Sequence, residues 1–357
     1  MTFIALLPAK TAKASPTRTT RERVSKTESW IDSDFHFPRT LFLSKMSTLR
    51  RILLAPRAPN TAAGFVEDNF AVVDLRRGRN GFSLSSSAVT QLPLGLVTPS
   101  FDSLNVQDAD ELTQIIAQTA EAAGLLNKKR WSVALPDATA RTHVVAIDSK
   151  PSNRRELIEM ISWKIERVIA VPSRDLCISR QRLNPAAGQD RYLVTAAHND
   201  VLAQYESVFA GMGWKAGLIL PRHMGEAQWL LWDETPGDKL LVSANRSGFT
   251  SLIVRDGEPV LVRAFVCEPA SIADELHRFA LYYRDRLVDG PGTPNTLSRM
   301  LVLGGIDLTE ARTAVADALD SEPRALDPGE FGMDLTGESI RFDQLAGAAG
   351  LATIAWQ

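Results

Sequence analysis

Cysteine is nearly absent from this chain: two in 357 residues, Cys177 and Cys267, each set in an apolar run. Two thiols cannot build a disulfide framework or a four-ligand zinc site. They fit a reducing compartment, where a lone cysteine acts as a small buried hydrophobe. Long apolar runs are also missing, and a helix needs about twenty such residues in succession to cross a bilayer. No surplus of one charge exists either; the formal net charge of −2 gives no bulk attraction to nucleic acid or anionic lipid. Catalytic signatures are wanting as well. There is no Gly-x-x-x-x-Gly-Lys-Ser/Thr phosphate loop, no His-Glu-x-x-His and no Gly-x-Ser-x-Gly nucleophile turn. His143, His198, His223 and His277 are scattered and read as structural or surface residues.

What is present is an ordinary globular composition, 45% hydrophobic and 23% charged, in a chain longer than one core usually holds. Two lobes are therefore expected. Residues 1–45 stand apart: "AKTAKASPTRTTRERVSKTESW" is rich in Ser, Thr, Arg and Lys and shows no sustained apolar period. It lacks the apolar stretch of an export signal. The expectation is a disordered extension, an upstream start before Met46, or an organellar transit peptide.

From Phe70 the pattern becomes regular. "FAVVDLRR" and "FSLSSSAVTQL" read as strands joined by "GRNG", whose Asn-Gly pair suits a hairpin. In "DADELTQIIAQTAEAAGLL", Leu112, Ile115, Ile116 and Ala120 share one helical face and Gly124 marks the stop. "RWSVALP" and "THVVAID" are strands about a Pro-Asp turn. A helix follows, capped by Ser152, with Leu157, Ile161, Ile165, Val168 and Ile169 as its apolar stripe. Trp163 lies off that stripe; it either anchors a partner or is covered by neighbouring strands, and cover is the expectation. Asn199 caps the next helix, with Leu202, Tyr205 and Phe209 inward, and "KAGLILP" is a strand. After "WDETPGD" a second unit opens with three strands, "KLLVSANRSGFTSLIVRDGEPVLVRAF". A helix follows with Ile272, Leu276, Phe279 and Tyr283 on one face, then a strand, Gly304-Gly305, and two helices.

The order of these segments resembles the PilM-type family, actin-like components of type IV pilus assembly. "WSVALPDATARTHVVAI", with Arg141, "ELIEMISWKIERVIAVP", "YLVTAAHNDVLAQYESVFAGMGWKAGLIL", "TSLIVRDGEPVLVRAF", "LVLGGIDL" and "AGAAGLATIA" carry the likeness. It implies an α/β, actin-like (ribonuclease H-like) fold of two lobes, the first at 46–232 with a small inserted subdomain near 141–192, the second at 233–357. It also implies ATP in the cleft between lobes, and a PilN-like inner-membrane partner whose cytoplasmic tail the protein holds, together with other cytoplasmic pilus components. The location implied is cytoplasmic, peripheral to the inner membrane through that partner and without membrane insertion.

An actin-like phosphate site needs glycines that let backbone approach phosphate and a carboxylate to hold Mg²⁺. On the family's pattern the first loop's Asp, Gly and Lys positions fall on Gly64, Val66 and Ala71, and the second loop's Asp and Gly on Ser243 and Asn245. Glu67 and Asp68 repel an anion unless a metal intervenes. The remaining candidate nucleotide contacts are Asn245, Ser247 and Gly248 in the second loop and Gly304 and Gly305 after the last strand. The second loop reads first as a plain strand connection, and the Gly304-Gly305 pair serves equally as a packed strand-to-helix turn. No residue is assigned to catalysis or to a metal, and Mg²⁺ is expected only if ATP binds. The expectation is a scaffold with weak or lost ATP binding. The competing one is an ATP-hydrolysing enzyme of the actin and sugar-kinase superfamily.

Overall fold

The computed structural model describes residues 58–79, 81–186, 188–288, 296–333, 335 and 340–357; the leader read at 1–45 lies outside them. Apolar alternation and tight turns build a first sheet. Strands β1 (Thr61–Val66), β2 (Asn69–Gly78) and β3 (Gly81–Gln91) form an antiparallel meander. Strands β4 (Arg130–Leu135) and β8 (Lys215–Pro221) then add in parallel, giving the order β3-β2-β1-β4-β8. The second sheet repeats this plan. Strands β9 (Asp238–Asn245), β10 (Gly248–Arg255) and β11 (Glu258–Val266) are the meander, and β12 (Leu297–Leu303) with the short β13 (Arg324–Ala325) completes the order β11-β10-β9-β12-β13.

Between the fourth and fifth strands of the first sheet the chain makes an extra unit. Strands β5 (Arg141–Ile147), β6 (Leu176–Ala186) and β7 (Gln189–His198) form a separate antiparallel sheet with β7 at its centre. Helix α2 (Arg154–Ile169) closes one face of it, with Ile161 and Ile165 buried against Val145, Tyr192 and Val194. Three readings of this helix are corrected. Its cap is Asn153, which accepts from the Glu156 N–H, while Ser152 bonds the Glu156 carboxylate instead. Val168 is 59% exposed, one residue past the buried face, and Trp163 is 54% exposed, so the sheet does not cover it.

Helices α1 (Ala109–Ala122) and α3 (Asn199–Gly211) back the first sheet, their Leu112, Ile116, Tyr205 and Phe209 buried as the periodicity predicts. The cap of α3 is His198, one residue before the Asn199 expected, and Asn199 donates to the Arg174 carbonyl. Helices α5 (Ile272–Tyr283) and α6 (Leu308–Leu319) back the second sheet.

Two further helices join the lobes. Helix α4 (Arg222–Trp232) follows β8 directly and lies against both sheets; "RHMGEAQWLLW" gave no helical signal. Residues 222–230 are all buried, so there is no polar face to mark a period. Helix α7 (Phe342–Thr353), which the sequence places in the second lobe, packs on β1, β2 and α4 of the first. The two cross at backbone contact: a Cβ on Gly350 would stand 1.9 Å from the Gly225 carbonyl, and one on Gly225 2.1 Å from that of Gly347. Only glycine permits that approach.

Candidate functional site

The parallel strands decide where the site lies. β1, β4 and β8 run the same way, as do β9 and β12, so their carboxyl ends fall on one edge of each sheet. From those ends come Glu67 and Asp68 after β1, Asp137 after β4, Arg222 and His223 after β8, Arg246 after β9, and Gly304 after β12. Two sets of contacts join the sheets there: Glu67 and Asp68 meet Arg246, and Asp137 and Arg222 meet Ser243.

At the floor, Arg222 reaches from α4 into the second lobe. Its Nη2 donates to Ser243 Oγ at 2.9 Å and to the Ala244 carbonyl at 2.8 Å. Ser243 Oγ donates to Asp137 Oδ2 at 3.1 Å, closing a ring that joins β4, α4 and β9. Asp137 Oδ1 also accepts from the His223 backbone N–H at 2.9 Å and pairs with His223 Nδ1 at 2.8 Å. The other imidazole nitrogen lies 3.1 Å from Thr142 Oγ1 on β5. His223 is thus a satisfied structural histidine, as its isolation in the sequence predicts. Burial pushes the Asp137 carboxyl up, but His223, and after it Arg222, more than offset this and hold it at about 2.

One turn along α4, Glu226 is fully buried and Arg222 Nε lies 3.2 Å from its Oε1. Neither Glu226 oxygen receives a hydrogen bond. Burial pushes its carboxyl above the usual range, Arg222 opposing this only in part, and the Asp137 charge adds to the rise.

At the mouth, the two hairpin turns meet. The first is Glu67-Asp68, with Glu67 at φ 54°, and the second is Arg246-Ser247. The Arg246 guanidinium lies 2.8 Å from Glu67 Oε2 and donates to both oxygens of Asp68, one at 3.1 Å; its backbone N–H donates to Glu67 Oε1. A third bridge stands at the side, where the Asn184 N–H of β6 donates to Glu258 of β11 at 2.7 Å.

The five candidate contacts from the sequence gather at the neighbouring end of the second sheet. Asn245 Oδ1 accepts from the Ser247 N–H and hydroxyl, which shapes the two-residue turn. Ser243 and Asn245 belong to β9 itself, so the second loop is shorter than expected. Gly248, at φ 138°, passes so near the Phe265 carbonyl that a Cβ would lie 1.9 Å from it. Gly304, at φ 92°, does the same against the Ala244 carbonyl at 2.2 Å. Gly305 has nothing within 4 Å of a Cβ position. Four of the five thus have a role inside the fold. The residues at the turns do not fit a magnesium nucleotide: a phosphate entering there meets two carboxylates, Glu67 and Asp68, already paired with the facing arginine. Among the described residues, no three His, Cys, Asp or Glu side chains are grouped to hold a metal ion.

The sequence reading missed Asp137, Arg222, Glu226 and Arg246. A Pro-Asp step after β4 and an Arg directly after β8 were visible as strand ends. Their convergence was not, because Asp137 and Ser243 are 106 positions apart.

No family model and no curated protein matches the sequence. Solved structures do match. One described as the PilM-PilN type IV pilus biogenesis complex is 17% identical, with a TM-score of 0.67, covering 85% of this chain and 100% of that one. A protein from Bacteroides thetaiotaomicron with an actin-like ATPase fold and unknown function is 8% identical (TM-score 0.46, covering 80% and 93%). The cytoplasmic domain of EpsL, an inner membrane component of the type II secretion system of Vibrio cholerae, is 14% identical (TM-score 0.40, covering 74% and 96%). At such identities the likeness is one of fold. The chain has the two-lobed α/β actin-like fold, as expected, and the resemblance to PilM-type proteins agrees with it.

Proposed function

We propose that this chain is a cytoplasmic scaffold of pilus or secretion assembly that holds the cytoplasmic tail of a PilN-like inner-membrane protein and binds ATP weakly or not at all. The observation that carries the second half is the bridging of the cleft by its own arginines. Arg246 takes the carboxylates at the mouth and Arg222 fills the floor, so the charges that would otherwise grip a nucleotide are spent on each other. The first half is supported by the fold shared with the PilM-PilN complex. Among the described residues no helix is long and apolar enough to cross a membrane; in this reading the partner supplies attachment. A tail lying along a sheet edge gains main-chain hydrogen bonds, which suits a short extended segment.

The test is calorimetry of the full chain. Titration with the cytoplasmic tail of the PilN-like protein encoded in the same genome is expected to give saturable binding, and its absence overturns the scaffold reading. Titration with millimolar MgATP is expected to give no resolvable heat; tight binding overturns the reading of the cleft.

A further inference from the structure

The inserted unit is a basic island on an acidic body. Residues 141–198 carry ten Lys and Arg against six Asp and Glu, while the rest of the chain from Ala58 onward carries nineteen against thirty-two. Helix α2 is the outermost layer of that unit, since its inner face is taken by the three-stranded sheet. Its outer face is not plain solvated charge. Trp163 is 54% exposed, the Arg167 guanidinium stacks on its ring at 4.8 Å, and Val168 beside them is 59% exposed. Arg155 and Arg174 flank this group, their side chains 90% and 84% exposed, each paired with a neighbouring carboxylate, Glu159 at 2.9 Å and Asp175 at 3.7 Å; at such exposure these pairs are weak and exchangeable.

A large apolar ring left in water forgoes the stabilisation of burial. Trp and Arg are also the residues most enriched at the centres of binding interfaces. We infer that the outer face of α2 is a docking surface for a second polypeptide, one whose bound segment is acidic and carries an apolar side chain that packs on Trp163. Arg155, Arg167 and Arg174 supply charge complementarity, and Trp163 with Val168 supplies the apolar seat. A bilayer fits the face less well. Glu159, Glu166 and Asp175 lie on the same helix and the turn after it, and a flat anionic surface would meet them together with the arginines. A peptide sets its acids against the arginines and its neutral residues against the carboxylates.

Display of random dodecapeptides on the full chain tests this. Sequences retained by the wild type are expected to combine Asp or Glu with Leu, Phe or Trp. They are expected to bind at least about tenfold more weakly to Trp163→Ala and to Arg167→Glu, the loss of an interface hot spot. Both substitutions lie in exposed positions, and unchanged melting of the variants confirms intact folding. Retained sequences without acids, or bound equally by both variants, overturn the inference. So does competition of those peptides with the PilN-like tail, which would make the face part of the tail site. Trp163-dependent binding to phosphatidylglycerol vesicles, or Trp163-dependent self-association in sedimentation, assigns the face to a lipid surface or to a second copy and overturns it too.

Discussion

The turn after β1 and the turn after β9 occupy the same place in two sheets of the same order, yet they carry opposite charge. Glu67-Asp68 is acidic, Arg246-Ser247 is basic, and they close on each other. A site evolved to wrap phosphate would want both turns rich in N–H donors and free of unscreened carboxylate facing the anion. Here the pair is complementary to itself. The difference between equivalent turns teaches that one plan, used twice, can tie its two copies together through complementary charge. The floor differs from the mouth in kind: Arg222, Asp137 and Glu226 are buried, whereas the Arg246 side chain is 64% exposed. Their contributions to stability differ accordingly.

Arg222→Met should break the comparison most severely. It leaves Glu226, Ser243 and Asp137 buried without the cation they surround, at a cost of about 3–5 kcal/mol. Chemical denaturation reads this directly; a loss under about 1 kcal/mol would mean that the floor does not tie the lobes.

Acid titration separates the two buried carboxylates. Asp137 has its folded pKa lowered from 3.8 to about 2, so its contribution, on the order of 2 kcal/mol, is full above pH 4 and lost as pH falls toward 2. Glu226 is raised, so its contribution has the other sign: it is full below about pH 4.5 and lost as pH rises through the folded pKa. Stability should therefore climb on acidifying from neutrality and fall again below pH 4. In Glu226→Gln the first limb should flatten while the second remains, as thermal melts across pH 2–8 would reveal.

The mouth should give the smallest effect. Arg246→Glu places three acids together and should loosen the hairpins, read as faster amide exchange at Glu67 to Asn69, with little change in melting. The swapped chain, Glu67→Arg with Arg246→Glu, should recover protection. If the swap recovers none, the turns meet by packing and not by charge.

Much of this architecture was legible. Helices α1, α3 and α5 were marked by apolar spacing, and the β2–β3 and β10–β11 hairpins by alternation ending in Asn-Gly or Asp-Gly. What escaped has a physical cause in each case. Strand β6, "LCISRQRLNPA", carries Arg180, Arg182 and Asn184 because it is a sheet edge with one wet side. Helix α4 hid because both its faces are interior. Trp163 was expected under strands because aromatics usually pay for burial; the sheet instead meets the opposite side of its helix. The polar contacts of the cleft span 178 positions for Arg246 and Asp68 and 21 for Arg222 and Ser243, distances at which no local pattern exists.

Helix α7 has a temporal consequence. Every residue from Leu345 to Thr353 is buried, and the helix rests on β1 and β2 near the other end of the chain. The first lobe is synthesised early, yet the face of its sheet that α7 covers stays open until residues 342–353 leave the ribosome. The nascent lobe must wait with that apolar face open while the second lobe is made, so truncation before Phe342 should leave it a client of chaperones and proteases.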